Sequence, residues 1–310
     1  MSSRSLTSPA LKAQAAAYRA DLVGIASIDR FEEVPADRHP RVIFPECAAV
    51  VVLGRRILRG SLRGIEEGTS FSSTYGMFGY RWLEDNFLAQ TTYDLTCWLE
   101  ARGAEAVPLF GYADSGMPKG RPVAPDRPAP NVILDVQHAA TAAGLGEIGL
   151  GDFFITPQFG TRQRFALILT DAELEPDPVP AASICSDCGA CVEACPLRAI
   201  DIEKTRIKGA GQAARPVADV DIEICNSCPN GAMRAPGRGT QPDRIAAACG
   251  RACLVRLEAA GKCGNTFENS FRQRAPWALD ALHRPVTPEA TGNAADIGCG
   301  KNLDRIGQQQ

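Results

Sequence analysis

Four cysteines within eleven positions constrain this chain more than any other feature. They are Cys185, Cys188, Cys191 and Cys195, followed by Pro196, in the stretch CSDCGACVEACP. The spacing is C-x2-C-x2-C-x3-C-P. Three thiolates on a tight turn wrap one [4Fe–4S] cube, and the fourth, carried into a following helix, points to a second cube. The chain must then bring one more thiolate back to the first group and three more to Cys195. Five candidates lie downstream: Cys225, Cys228, Cys249, Cys253 and Cys263. Disulfides or zinc would also use paired C-x2-C steps, but the complete run with its proline favours iron and sulfide. Cys47, in an apolar stretch, and Cys97, on a helix face, read as small buried hydrophobes. Cys299 stands alone in a glycine-rich tail and reads as a non-ligand.

With 310 residues the chain has room for two domains with substantial cores. Its 33 basic and 36 acidic side chains give a net charge of −3, without the basic excess of a general nucleic-acid binder. No apolar run approaches the roughly 18 residues of a membrane span. The start, MSSRSLTSPALKAQ, has no apolar signal core and no twin arginine. Twelve cysteines without a targeting segment point to a reducing cytoplasm.

Residues 10–20 read as an alanine-rich helix, 22–27 as a strand, and AAVVVLG at 48–54 as a strand buried on both faces. The glycine- and serine-rich 55–80 reads as loops over a site. Residues 82–102 make the clearest amphipathic helix, with Trp82, Leu83, Phe87, Tyr93, Leu95, Trp98 and Leu99 on its apolar face and Gly103 as C-cap. A strand over 105–110 enters a proline-rich loop, 111–130, of a length that is often functional. A helix over about 134–143 runs into GLGEIGLG at 144–151, and FFITPQFGTRQRFALILT reads as two strands with a turn near Phe159–Gly160. EPDPVPAAS at 175–183 reads as a linker, dividing the chain into domains 1–178 and 179–310. In the second part, Thr240 as N-cap and Pro242 in the first turn favour a helix. That helix sets Cys249 and Cys253, four apart, on one face. The expected ligand sets are Cys185, Cys188, Cys191 and Cys253 for the first cluster, and Cys195, Cys225, Cys228 and Cys249 for the second. Cys263 is held in reserve.

Three stretches carry a family likeness. DLVGIASIDRFE with AAVVVLGRRI resembles the start of the epoxyqueuosine reductase-like proteins. HAATAAGLGEIGLGDFFITPQFGTRQRFALILTDAEL closely resembles the segment before the clusters in those proteins and in the reductive dehalogenases. CSDCGACVEACPLRAI followed by RACLVRLEAAGKCGNTFENSFR is similar to their double-cluster module. The likeness runs from about residue 15 to 275. It implies an α/β (α+β) fold, with a nitroreductase-like cofactor-binding domain followed by a bacterial ferredoxin-like double-cluster module. It also implies cobalamin, bound base-off and reduced through two [4Fe–4S] clusters, which reach low potentials. Gly144, Gly146, Gly149 and Gly151 would then let backbone approach the corrin ring, where the plainer reading is a helix end and turn. Arg162 and Arg164 would meet corrin carboxamides or a substrate anion, or else pair with acids. The D-[ST]-x-P-like acidic segment of the tRNA-modifying members is not matched, since NVILDVQ stands in its place, and the export signal of the respiratory dehalogenases is absent.

The candidate catalytic residues are Tyr112, Asp114 and His138. Tyr112 and Asp114 follow a strand end, where α/β folds place chemistry, although Asp114 also suits a turn. His138 suits an acid near neutral pH, or a structural hydrogen bond at a helix start. Tyr75, Tyr80 and Trp82 read as packing. The expected function is a corrinoid-dependent iron–sulfur reductase of a small organic substrate, fed by reduced ferredoxin or flavodoxin. Two others stay open: an electron-transfer protein serving a partner's corrinoid or flavin, and a tRNA-modifying epoxyqueuosine reductase. The net charge and the missing acidic segment weigh against the last. Flavin in place of cobalamin is the cofactor alternative.

Overall fold

In the computed structural model, the described residues are 6–110, 120–181, 183–233, 242–280 and 282–287. Helix α1 (Ser8–Ala17) starts on the Thr7 side chain, which accepts from Ala10 N, with Pro9 in the first turn. Strand β1 (Leu22–Ser27), the short helix α2 (Pro40–Ile43) and strand β2 (Ala49–Arg56) follow. The stretch 55–80, expected as loops, is largely helical. It holds the single turn α3 (Arg63–Glu66) and a wide-wound helical segment, Ser72–Arg81, that continues as Leu83–Leu88. Helix α4 (Ala89–Glu100) ends before Gly103, whose φ of +84° and amide to Glu100 O close the turn as expected. Strand β3 (Ala106–Phe110), helix α5 (Val136–Ala142), the short pair β4 (Glu147–Ile148) and β5 (Phe154–Ile155), and strand β6 (Gln163–Thr170) complete the first part.

The main sheet has the order β1-β2-β6-β3 and is antiparallel throughout. Its alternation separates two cores. Val50, Val52, Leu167 and Leu169 face α5 through Val136, Ala139 and Ala140. Val51, Leu53, Ala166 and Ile168 face α1 and α4 through Leu11, Leu95 and Leu99. Helical layers on both faces explain why β2 and β6 are apolar without interruption although the sheet is antiparallel. The strand-end rule for parallel sheets therefore does not locate a site here. Tyr112 and Asp114 lie outside the described residues. On the helical segments Leu83, Leu95, Trp98 and Leu99 are buried as expected, whereas Trp82, Phe87 and Tyr93 are exposed, Tyr93 by 63%. The wider winding before residue 89 turns side chains away from the faces that a 3.6-residue period assigns. Cys97 also faces solvent and is not the buried hydrophobe its sequence suggested.

The later segment contains α6 (Ala190–Glu193), the antiparallel pair β7 (Ile200–Lys208) and β8 (Arg215–Val220), α7 (Ile222–Asn226), α8 (Ala248–Ala259) and the small pair β9 (Ala278–Leu279) and β10 (Pro285–Val286). It shares a core with the first part: Ile57, Leu62, Ile65, Tyr75 and Leu83 pack with Ala246, Leu254, Leu257 and Phe271. Ion pairs cross the same boundary, among them Arg164–Asp243, Arg251–Glu66 and Arg59–Glu258. The stretch 175–183 is anchored as well, because Asp177 exchanges backbone and side-chain hydrogen bonds with Ile25 on β1. Helix α8 begins at Ala248 and not near Pro242. Thr240 lies outside the described residues, and Asp243 instead forms a β-bridge with Met233.

Candidate metal centre

The turn that carries the first three cysteines is shaped by left-handed backbone at Asp187 (φ +49°) and Gly189 (φ +74°). Glu147, inside the glycine-rich segment, clamps its entry: its carboxylate accepts from the amides of Ile184 and Cys185 and from the Ser183 hydroxyl. Helix α6 follows at once and buries Cys191. Cys195 lies one turn further and accepts from Ala199 N at 3.3 Å. Helix α7, capped by Asp221 accepting from Ile224 N, presents Cys225, and Cys228 follows it. Helix α8 presents Cys249 and Cys253 one turn apart.

These thiols fall into two groups of four. The Cys253 thiol is raised by burial and then by the charges of Cys191, Cys185 and Cys188. Cys225 and Cys228 are both pushed up to about 12, by burial first and then by neighbours that include Cys249 and Cys195. Cys195, Cys225, Cys228 and Cys249 also line one small pocket, with Leu197, Ala199 and Arg244. Helix α8 thus sets Cys253 near Cys185, Cys188 and Cys191, and Cys249 near Cys195, Cys225 and Cys228, with Cys249 also acting on Cys191. Burial pushes Cys191 up to about 11, with Cys249, Cys185 and Cys188 adding to it. Cys188 alone among the eight is drawn down, chiefly by the Ala190 amide and against its slight burial, with Arg256 assisting.

The donor set fits a multi-iron cluster. Among the described residues, no three His, Cys, Asp or Glu side chains converge on a point that could hold one metal ion. The eleven described cysteines are free thiols. Cys263 stands apart. It is buried beside Gly160, and its thiol is pushed up to about 11 by burial and then by Glu258. Cys299 lies outside the described residues. Cys47 is buried and donates to Ala49 O.

The glycine-rich segment abuts the cysteines, and its α-carbons are covered by protein. A side chain at Gly144 would meet Pro178 O, and one at Gly146 would overlap Ile155 O. At Gly149 it would sit 2.6 Å from Ile155 Cδ1 and 3.4 Å from Cys185 Sγ, and at Gly151 2.7 Å from Cys191 Sγ. These positions need glycine so that backbone and cluster turn can pack. On the side where a Cβ would project, they leave no room for a corrin ring. Arg162 is likewise committed: it is 1% exposed and donates to Ile57 O and Asn265 Oδ1, both at 2.9 Å. Arg164 is buried with Asp243, Glu84 and the Tyr75 hydroxyl around it. Burial works against that cation, but Asp243, Tyr75 and Glu84 hold its pKa above the ordinary value. Tyr80 is buried under the same guanidinium.

His138 is 3% exposed, accepts from Ala210 N through Nδ1 and meets Phe31 edge-on. Burial lowers its pKa against the pull of Asp135, so the ring is neutral at pH 7. Asp135 itself caps α5 by accepting from Gln137 N and His138 N. Sequence reasoning missed three features of the centre: Glu147 as the clamp of the cysteine turn, the Tyr75–Asp243–Arg164 network, and Arg244 between the two thiol groups. A charged residue inside an otherwise small and apolar run, as Glu147 stands in GLGEIGLG, is the signal that was available.

No family model matches the chain. A tetrachloroethene reductive dehalogenase from Desulfitobacterium hafniense is 44% identical over 68 residues, 21% of this chain and 12% of that protein. An epoxyqueuosine reductase from Synechococcus sp. (strain CC9605) is 44% identical over 61 residues, 20% of this chain and 19% of that protein. The catabolic reductive dehalogenase NpRdhA has a similar fold, with a TM-score of 0.50 and 17% identity over 97% of this chain and 42% of its own. The chain spans less than a fifth of each of these two curated relatives. The matched segments are thus similar to parts of reductive dehalogenases and of epoxyqueuosine reductases. Among the described residues, no helix is long and apolar enough to cross a membrane.

Proposed function

We propose that this chain is an iron–sulfur oxidoreductase that holds two [4Fe–4S] clusters and passes single electrons through them. Cys185, Cys188, Cys191 and Cys253 hold the first, and Cys195, Cys225, Cys228 and Cys249 the second. The observation that carries the reading is the crossing of the two groups. Each takes one thiol from α8, and the C-x2-C-x2-C-x3-C-P run contributes to both. A single-metal site or a buried thiol core has no need of that crossing. The fold likeness and the matched reductases support a reductase of a small organic substrate, fed by reduced ferredoxin or flavodoxin in the cytoplasm.

Cobalamin is the acceptor that the relatives suggest, and when bound it would supply a low-potential metal centre. The glycines, packed against protein on their Cβ side, and Arg162, bonded to Ile57 O and Asn265, argue against these residues as its contacts. Those same closed faces favour a second reading, in which the electrons leave for a partner's corrinoid or flavin. Protein purified without air should contain about eight iron and eight sulfide per chain. Half that amount, with one EPR signal, overturns the two-cluster assignment. Cobalamin retained through anaerobic desalting, with a base-off spectrum, selects the enzyme that reduces its own substrate. None retained selects the electron-transfer protein.

A further inference from the structure

The guanidinium of Arg244 is 5% exposed and lines the cavity bounded by Cys195, Cys225, Cys228 and Cys249. Its charge acts on Cys249, Cys225 and Cys191, so it stands between the two thiol groups. One face stacks on Phe153, 4.7 Å from the ring centre. Nη2 donates to the backbone carbonyl of Asp152 at 3.2 Å, while Nη1 is buried without a protein partner. A buried, unpaired N–H is costly and rare unless a further acceptor completes it. Asp152 does not consume the charge. Its carboxylate is already held at 2.7 Å by both Arg206 and Lys208, and Arg244 stands 3.8 Å away. The next residue back, Asp243, is pinned by Tyr75 and Arg164 on the opposite side, which fixes where Arg244 points.

Resting on the two-cluster reading, we propose that Arg244 tunes the reduction potential of the second cluster, raising it above that of the first through its charge and its free Nη1 donor. Reducing a cluster adds one negative charge, and a nearby cation or N–H donor stabilises that form. An electron entering the pair then settles on the second cluster. Arg244 touches no substrate. It acts on the potential alone, with Asp152 as the opposing charge.

The test is an anaerobic redox titration of both clusters by low-temperature EPR, with iron and sulfide analysis of every sample. Arg244→Met should lower the second cluster's midpoint by at least 59 mV, a tenfold change for one electron, and move the first cluster less. Arg244→Lys, which keeps the charge, should recover part of that shift. Asp152→Asn should move the potential the opposite way, upward. Asparagine tolerates the left-handed backbone at that position (φ +57°). Should Arg244→Met fail to hold its cluster, the other two variants decide. Full iron content with unmoved midpoints, or with Asp152→Asn shifting downward, overturns the inference and leaves the two-cluster reading standing. Wild-type protein holding a single cluster overturns both.

Discussion

Alanine placed at Gly146, Gly149 and Gly151 in turn separates a packing role for the glycine-rich segment from a cofactor-floor role. The three sites meet different obstacles. At Gly146 the new Cβ overlaps Ile155 O and lies 2.9 Å from its carbonyl carbon and 3.1 Å from Thr156 Cα, all backbone. Ile155 is on β5, paired to Glu147 on β4, so neither side yields without breaking that pair. Overpacking of this kind costs about 1–3 kcal/mol, and a backbone obstacle puts Gly146→Ala at the upper end, about 3 kcal/mol. That is roughly a hundredfold in the folded ratio and about 5 °C in melting temperature for 310 residues. At Gly149 the nearest atom, 2.6 Å away, is the tip of Ile155, which can swing aside. The cost there should stay below about 1 kcal/mol. At Gly151 the obstacle is Cys191 Sγ at 2.7 Å, which the proposed assignment gives to the first cluster. Gly151→Ala should lose iron from that cluster and keep the second. Circular dichroism melts of anaerobic, cluster-loaded protein, with iron analysis, read all three. A Gly146→Ala protein that melts like wild type but no longer retains cobalamin would refute the packing argument and restore the corrin floor.

Cysteine replacements should sort by group: Cys253→Ala damages the first cluster, Cys228→Ala the second, and Cys263→Ala neither, as read by iron content and EPR. A cluster lost from Cys263→Ala but kept in Cys228→Ala would exchange those two residues in the assignment. Cluster loading should release protons and improve as pH rises, because thiols pushed up to about 11 and 12 are protonated at pH 7 and must ionise to bind metal; reconstitution yields at pH 7 and 8.5 check the sign. In the cluster-free protein, the raised thiol pKa values give stability that is present below the unfolded value of 9.0 and lost as pH rises toward 12. A urea midpoint that stays flat across that window would contradict it. Asp243→Asn should cost about 3 kcal/mol by leaving the Arg164 charge buried with one carboxylate fewer. A urea midpoint equal to wild type would show that Glu84 alone suffices.

Much of the first part was legible because its signals are local. The apolar run Ala49–Leu53 has to be a doubly covered strand, and the Gly103 turn has to end a helix. The errors arise where tertiary contacts override such signals. Pro242 looks like the first turn of a helix, but the neighbouring Asp243 is drawn into a buried network with Tyr75 and Arg164 and into a bridge to Met233. The chain cannot wind there, and α8 starts at Ala248. Trp82 and Phe87 were given to a buried face by a period that the wider winding does not follow.

The metal centre shows the same division within one site. The proposed ligand sets rest on spacing, because a cube of fixed size and an i,i+4 pair on α8 leave few ways to distribute eight thiols. The glycines carried no such constraint. A glycine is required equally where a flat ring approaches backbone and where a carbonyl or a thiol does, and only the neighbours distinguish the cases. Those neighbours, Ile155 O at Gly146 and Cys191 Sγ at Gly151, come from other segments, so no local pattern marks them. The segment therefore braces the cysteine turn. Glu147 anchors the turn's amides from within that segment, and Asp152 at its end places opposing charge beside Arg244.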